Sequence, residues 1–122
     1  METVIKRFDE LTTAELYAIL RLRVSVFVVE QNCPYQELDD MDQQALHVYF
    51  LDGGEIAAYL RVLGPGVSGK EALIGRVIAA KRGCGIGGRL LSEGIRVARE
   101  RLQASAIRVE AQSYAKGFYE TR

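Results

Sequence analysis

Residues 81–88, KRGCGIGG, combine two cations with four glycines directly after an apolar run. Glycines let a backbone approach a ligand closely, and a helix that begins here would add unpaired N–H groups and the positive end of its dipole. These residue types in this order are typical of a phosphate or diphosphate site. A plain strand-to-helix turn has a similar glycine content and stays open as the alternative.

The glycines are only partly typical of nucleotide sites. No Gly-Lys-Ser or Gly-Lys-Thr triplet follows, as a Walker loop requires, so nucleotide hydrolysis loses support. Residues 83–88, GCGIGG, do have the GxGxxG spacing of dinucleotide sites, but that spacing alone is weak evidence for hydride transfer or a nucleotide-binding regulatory role. The segment does fit the pattern RxxGxG, through Arg82, Gly85 and Gly87.

The residues that could form other reactive sites are few. Cys33 and Cys84 form no CxxC pair, and the single His47 completes no metal-ligand spacing with them. We therefore expect no metal site and no disulfide. Neither cysteine has a histidine beside it in the sequence, so we assign neither a nucleophilic role.

The composition indicates one globular domain. A chain of 122 residues can bury a core, and 16 basic and 16 acidic side chains leave no field of one sign, which argues against nucleic-acid binding. METVIKRFDE carries charges where a signal peptide needs an apolar core, and no apolar run approaches the roughly 20 residues of a membrane span. We expect a cytoplasmic protein without a membrane partner.

The first part of the chain predicts a strand and then a helix. Residues 4–8 predict a short edge strand, and Thr12 or Thr13 before AELYAIL predicts a helix N-terminus. Residues 20–28 fit two structures, because their valine-rich alternation is typical of a strand whereas the wider apolar spacing predicts a helix. The residues at helical spacing are Leu16, Ile19, Leu20, Val24 and Phe27.

The middle of the chain predicts a loop, a hairpin and a buried strand. Residues 31–44 are polar and acidic, and a connection of this length is often functional. Residues 45–63 predict a hairpin that turns at Gly53 and Gly54. Residues 72–80, ALIGRVIAA, predict a strand covered on both faces.

The last part predicts an amphipathic helix, a short strand over residues 107–111 and a final helix from near Ser113. Strands and helices therefore alternate, which predicts a mixed α/β fold. The apolar face of the amphipathic helix is made by Leu90, Leu91, Ile95, Ala98 and Leu102.

Three segments together resemble the GNAT acyltransferases. RxxGxG at Arg82 looks like the family signature, IGRVIAA looks like its fourth strand, and VFVVEQNCPYQELDDMD (residues 26–42) resembles the ElaA-like branch of the superfamily. With FYE near the end, the resemblance covers nearly the whole chain. It implies one GNAT-like domain over residues 1–122, with a mainly antiparallel mixed sheet and helices on both faces. It also implies that residues 20–28 are helical.

The resemblance implies N-acetyl transfer from acetyl-CoA to a small-molecule or peptide amine. Main-chain groups of Val77, Ile78 and Ala79 would pair with the pantetheine arm, and Arg82 would help to bind the diphosphate. The backbone amides implied for the diphosphate are those of Gly83, Cys84, Gly85, Ile86, Gly87 and Gly88.

The same resemblance implies that Tyr119 in KGFYE protonates the departing thiolate, with an aromatic packing role as the alternative. For the general base we place Glu110 first and His47 second, because an unperturbed imidazole titrates near neutral pH. A surface role for Glu110, a structural role for His47 and a water chain remain alternatives.

The acidic loop is expected to line the acceptor side and to attract a cationic amine. Solvated surface acids are the alternative. The residues concerned are Glu30, Tyr35, Glu37, Asp39 and Asp40.

The chain departs from the family pattern at two places. The link from IGRVIAA to RGCGIG is short, and the chain ends at Arg122 where family members continue into a last pair of strands. We therefore expect a domain that is incomplete at its C-terminus, with an open sheet edge that a partner subunit could complete. A homodimer and a catalytically silent, CoA-binding module both stay open.

Overall fold

A computed structural model describes residues 1–80 and 85–110 of the 122-residue chain. Several predictions from the sequence fall outside these ranges: Arg82, Gly83, Cys84, Tyr119 and the helix expected from Ser113.

The described residues form a mixed α/β fold, as predicted. Five strands lie in the order β1-β2-β3-β4-β5, and all neighbours are antiparallel except the parallel pair of β4 and β5. No helix within the two described ranges is long and apolar enough to cross a membrane. The elements are β1 (Glu2–Arg7), α1 (Thr13–Val24), β2 (Ala45–Asp52), β3 (Glu55–Leu63), β4 (Ala72–Ala79), α2 (Ile86–Glu100) and β5 (Ile107–Val109).

Helix α1 begins with a reciprocal cap. The Glu15 N–H donates to Thr12 Oγ1 at 3.1 Å, and the Thr12 N–H donates to Glu15 Oε1 at 2.8 Å, which decides between the two predicted N-caps in favour of Thr12. A π-helical turn over Ser25–Glu30 continues α1, so the helical interpretation of residues 20–28 is confirmed.

The predicted apolar face of α1 is wrong at one position. Val24 is 36% exposed, whereas Arg23 is fully buried beside Ile19 and Phe27 on the face that meets the sheet. An arginine can occupy this face because acidic side chains reach its guanidinium, as described below.

The hairpin of β2 and β3 turns where the sequence predicts. Asp52 pairs with Glu55, and the two residues between them, Gly53 and Gly54, have φ values of 62° and 86°. Two successive positive φ angles match the twist of the flanking strands and strongly favour glycine. This turn fixes the register of the central strands.

The helices cover opposite faces of the sheet, which confirms the expected layers. On one face, α2 residues pack with Val48, Leu60 and Ile74 in the larger apolar core. The other face carries α1 and its π-helical turn, with Phe27 in one apolar cluster with Tyr59.

We predict opposite effects on stability for two glycines of α2. A Cβ on Gly94 would lie 2.9 Å from Leu60 Cδ2 and 3.1 Å from its Cδ1, so Gly94→Val should lower the free energy of unfolding by about 2 kcal/mol through overpacking. A Cβ on Gly88 meets nothing within 4 Å, so Gly88→Ala should raise it by about 0.5 kcal/mol through helix propensity. Urea unfolding of the cofactor-free protein measures both; equal stabilities would contradict this packing.

Candidate functional site

The sheet opens between β4 and β5. The parallel pairing runs only from Ala72, opposite Ile107, to Ile74, opposite Val109. Its last rung is the Glu110 N–H donating to Ile74 O at 2.9 Å. Within the described ranges, no strand pairs with this edge of β4 after Ile74, and we call this unpaired stretch the cleft.

A bulge in β4 lies at the start of this cleft. Between the pairs Tyr59–Ile78 and Arg61–Gly75, β3 contributes one residue whereas β4 contributes two, Arg76 and Val77. Arg76 has a φ of 53°, a left-handed value that is uncommon for a residue other than glycine. Such a bulge kinks the strand and redirects the groups that follow it.

The alternation of main-chain groups after the bulge identifies which residues face the cleft. The Ala80 N–H donates to Ala57 O of the β3 side at 2.9 Å. Because successive residues alternate, the main-chain groups of Ile78 also face β3, whereas those of Val77 and Ala79 face the open edge. Of the three residues predicted to pair with pantetheine, Val77 and Ala79 thus direct main-chain groups toward this edge, whereas Ile78 does not.

The glycine segment follows β4 and opens α2. Gly85 is the N-cap of α2 with a φ of 66°, no side chain of the described residues caps it, and the first turn contains no acidic residue. Ile86 is buried in the core against the sheet. Among the described residues, a Cβ on Gly85 or Gly88 would meet nothing within 4 Å, so this part of the structure leaves space at the start of α2. Its first N–H groups have no intrahelical acceptor and can bind an anion.

Beside the cleft lies a group of six charged side chains that we call the ionic ring. It joins α1, β3 and β4 to the loop over residues 31–44. All its members are nearly or fully buried except Asp39, whose side chain is 25% exposed. The members are Arg23, Glu37, Arg76, Asp39, Arg61 and Asp42.

Two carboxylates connect Arg23 to the strands. Glu37 Oε2 accepts from Arg23 Nε at 2.8 Å and from Arg76 Nε at 2.6 Å. Asp42 Oδ1 accepts from Arg23 Nη1 at 2.6 Å and from Arg61 Nη1 at 2.9 Å. Each carboxylate thus bridges two guanidinium groups.

Asp39 closes the ring on the far side from Arg23. Its Oδ1 accepts from Arg61 Nη1 at 2.8 Å, and its Oδ2 accepts from Arg76 Nη2 at 3.2 Å. Positive and negative members therefore alternate all the way round, and their formal charges cancel.

The arginines keep the two aspartates of the ring ionised. Hydrogen bonds from Arg61 hold the pKa of Asp39 well below its usual range. Burial alone would raise the pKa of Asp42, but hydrogen bonds from Arg23 and Arg61 outweigh it and lower that pKa. Both groups are thus charged at neutral pH.

His47, the second candidate for the general base, is fully buried beneath the ring. Its Nδ1 lies 2.7 Å from Tyr59 Oη and its Nε2 lies 3.0 Å from Asp42 O. The carbonyl can only accept, which assigns the proton to Nε2 and leaves Nδ1 to accept from Tyr59. Burial lowers the pKa of His47. With both nitrogens engaged, the imidazole has no free atom for a substrate proton.

The predicted acceptor-side residues divide into two groups. The charges of Glu37 and Asp39 are already balanced by arginines in the ionic ring, so they offer little net attraction to a cation. Glu30 and Asp40 are exposed, and the 41% exposed Tyr35 has its ring centroid 5.8 Å from Arg76 Cζ. The members of this second group are the more exposed ones.

Glu110, the first candidate for the general base, lies at the point where β4 and β5 separate. Its side chain is 45% exposed, and its Oε1 is 3.8 Å from Arg76 Nη1. It is the predicted catalytic residue that the structure brings next to the β4 bulge. The sequence did not single out Arg23, Arg61, Arg76 or Asp42 for this region.

Comparisons with known proteins agree with this architecture. The family model described as the acetyltransferase (GNAT) family matches residues 13–122. Protein ElaA of Escherichia coli K12 is 35% identical over 117 residues, which cover 93% of this chain and 76% of that protein.

Solved structures give the same result. An acyl-CoA N-acyltransferase from Pseudomonas aeruginosa superposes with a TM-score of 0.86 at 38% identity, covering 98% of this chain and 85% of that one. Escherichia coli ElaA superposes with a TM-score of 0.88 at 35% identity, covering 98% and 84%. At 14% identity, an acetyltransferase from Clostridium acetobutylicum solved with acetyl-CoA shares the fold, with a TM-score of 0.68 and coverage of 98% and 88%.

Opening the ionic ring should destabilise the protein strongly. Asp42→Asn removes the charge that bridges Arg23 and Arg61, and leaving buried charges uncompensated typically costs about 3 kcal/mol of unfolding free energy. The matched control is Asp9→Asn, since the Asp9 side chain is 75% exposed and its ion pair with Arg7 is expected to contribute at most about 0.5 kcal/mol. Similar losses in the two variants, measured by urea unfolding, would argue against the ring.

His47 should make stability fall as the pH drops from about 7 to 5.5, because its pKa is lowered by folding and the unfolded chain then binds the proton more readily. It is the single histidine of the chain, so the slope should be at most about 1.4 kcal/mol per pH unit. Unfolding curves at several pH values measure the slope. His47→Gln should flatten it; a slope that persists in this variant would contradict the assignment.

Proposed function

This chain belongs to the GNAT family of acetyltransferases, and we propose that it moves an acetyl group from acetyl-CoA to a primary amine by direct transfer in a ternary complex. One observation supports this most directly. The unpaired edge of β4 leads along the chain straight to the open N-terminus of α2. A ligand with an extended amide-bearing arm and a diphosphate could therefore engage both at once.

The diphosphate would bind at the start of α2. The N–H groups of Ile86, Gly87 and Gly88 belong to the first turn, where no intrahelical acceptor is available. The helix dipole favours negative charge there, and the missing side chain of Gly88 leaves room for it. Arg82, Gly83 and Cys84 precede this turn and complete the proposed cradle.

The pantetheine arm would lie along the open edge of β4. We assign main-chain hydrogen bonds to Val77 and Ala79, whose groups face that edge, whereas the main-chain groups of Ile78 face β3. The N–H of Val77, beside the bulge, is our candidate donor to the thioester oxygen. A fixed donor at this oxygen stabilises the negative charge that develops on it during transfer.

Acetyl-CoA, when bound, supplies an activated acetyl thioester. We assign proton removal from the attacking amine to Glu110, since its carboxylate is partly exposed at the opening of the cleft. Tyr119 is our candidate for protonating the departing thiolate. Holding both reactants in one cleft converts a bimolecular reaction into an effectively unimolecular one. The acetyl group then passes directly to the amine, so no acyl-enzyme intermediate is needed.

The acceptor would approach from the side of the loop over residues 31–44. We assign its contacts to Glu30, Tyr35 and Asp40, because Glu37 and Asp39 are balanced within the ionic ring. Glu37 and Asp39 would then shape the pocket through Arg76 rather than attract the amine themselves.

Calorimetry and a thiol-release assay test this proposal together. We expect acetyl-CoA to bind with a dissociation constant in the micromolar range, and a panel of monoamines, diamines and lysine peptides to include one that releases free CoA thiol. Binding of ATP or NAD without acetyl-CoA or CoA would overturn the proposal. Binding of acetyl-CoA without thiol release on any amine would instead indicate a CoA-binding module.

Gly88→Asp should separate cofactor binding from folding. An acidic residue in the first turn stabilises a helix through its dipole, so the unfolding free energy should not fall, but the same charge repels a diphosphate. We expect acetyl-CoA affinity to fall by at least about tenfold, a loss of about 1.4 kcal/mol. Gly88→Asn, of similar size but neutral, is the matched control and should lose much less affinity in calorimetry. Equal losses in both variants would point to steric blocking and not to a diphosphate site.

A further inference from the structure

We propose that Gly75 is a positioning residue for Glu110: the absence of a side chain at Gly75 lets the Glu110 carboxylate lie against β4 where the cleft opens. This inference rests on the proposed function, in which Glu110 is the general base. It assigns a role to a glycine that lies inside a buried strand.

The backbone of Gly75 does not itself require glycine. Gly75 pairs with Arg61 in the ladder to β3 and is absent from the residues with positive φ. A glycine inside a strand weakens it, because it packs nothing and has more conformational freedom to lose on folding. A glycine at such a position therefore indicates that another group needs the space.

That group is Glu110. A Cβ built on Gly75 would lie 3.0 Å from Glu110 Oε1, 3.7 Å from its Cβ and 3.9 Å from its Cδ, and these are the three nearest atoms. The glutamate side chain thus lies flat on the surface that a larger residue would fill. A side chain at this position would force the carboxylate oxygen to move by a few tenths of an ångström.

Arg76 attracts the Glu110 carboxylate without forming a hydrogen bond to it. The Nε and Nη2 of Arg76 donate to Glu37 and Asp39 in the ionic ring, and Nη1 is the nitrogen that approaches Glu110 Oε1, at 3.8 Å. This distance is too long for a hydrogen bond but short enough for charge attraction. The carboxylate is therefore oriented, and no hydrogen bond from residues 1–80 or 85–110 occupies its oxygens.

The main chain of Glu110 is also fixed. Its N–H donates to Ile74 O at 2.9 Å, one residue before Gly75, while the side chain remains 45% exposed. In the transfer, an N–H bond of the attacking amine breaks and an O–H bond forms on Glu110, as the nitrogen binds the acetyl carbon and the thiolate leaves. Gly75 sets where this oxygen lies.

A double-mutant cycle tests the inference in the full chain. The variants are Gly75→Ala, Glu110→Ala and the combination, and the readouts are kcat for thiol release and the calorimetric Kd for acetyl-CoA. Gly75→Ala alone should lower kcat by about tenfold or more, and Glu110→Ala by about a hundredfold, the usual scale for a general base. The combination should match Glu110→Ala within about twofold, because the space is then free. The Kd should stay within about twofold throughout.

Gly64→Ala is the matched control, since its Cβ would meet Leu102 at an ordinary 3.7 Å and kcat should not change. If Gly75→Ala lowers kcat by the same factor with and without Glu110→Ala, the inference is overturned. If the wild-type protein releases no thiol with any amine, the proposed function fails instead.

If no thiol is released, thermal unfolding tests the contact between Gly75 and Glu110 directly. The change in Tm on Gly75→Ala should be less favourable when Glu110 is present than in the Glu110→Ala background, where alanine has no 3.0 Å contact to relieve. The same change in both backgrounds would overturn the inference without reference to activity.

Discussion

The ionic ring is the interaction on which the rest of the site depends. Each of its three carboxylates bridges two of its three arginines, so a buried charge has an opposite charge on either side. Such an arrangement offsets desolvation only when it is complete, because removing one member leaves two buried partners uncompensated. Through it, a polar loop of more than ten residues is attached to α1, β3 and β4 as part of the protein interior.

The ring also determines the geometry of the cleft. Arg76 has a left-handed backbone conformation within the β4 bulge, and its guanidinium contacts Glu37 and Asp39. Left-handed backbone in a non-glycine residue is unfavourable and persists where surrounding contacts impose it. The bulge in turn directs Val77 and Ala79 toward the edge that β5 leaves free. Charge pairing in the loop is thereby connected to the strand edge where the thioester would lie.

Sequence reasoning predicted the parts of the fold that local chemistry decides. A helix cap at Thr12 or Thr13, the Gly53–Gly54 turn and the apolar face of α2 follow from side-chain and backbone preferences over a few residues. Periodicity alone left residues 20–28 ambiguous between helix and strand. The GNAT resemblance resolved them correctly, since that helix depends on packing against a sheet formed much later in the chain.

The ring could not be predicted from local patterns, because its partners lie far apart in the sequence. Arg76 and Glu37 are separated by 39 residues, and Arg61 and Asp39 by 22. The available indication was indirect: three arginines stand at positions whose neighbours predict burial. Without the register of β3 and β4, however, nothing assigned the loop acids to these arginines, and two of the acids, Glu37 and Asp39, were expected to attract a cationic amine.

Stability alone is a poor explanation for such a ring. A buried ion network is often no more stabilising than well-packed apolar side chains of similar volume, and this one leaves Glu37 Oε1 buried without a hydrogen-bond partner in the described structure. An unsatisfied buried oxygen typically costs about 1–3 kcal/mol. Apolar packing could not supply a fixed cation. The Arg76 guanidinium contacts the loop acids and approaches Glu110, while the Arg76 backbone forms part of the β4 bulge. The geometry of the proposed active site therefore gives a physical reason for a buried charge network that energy alone does not.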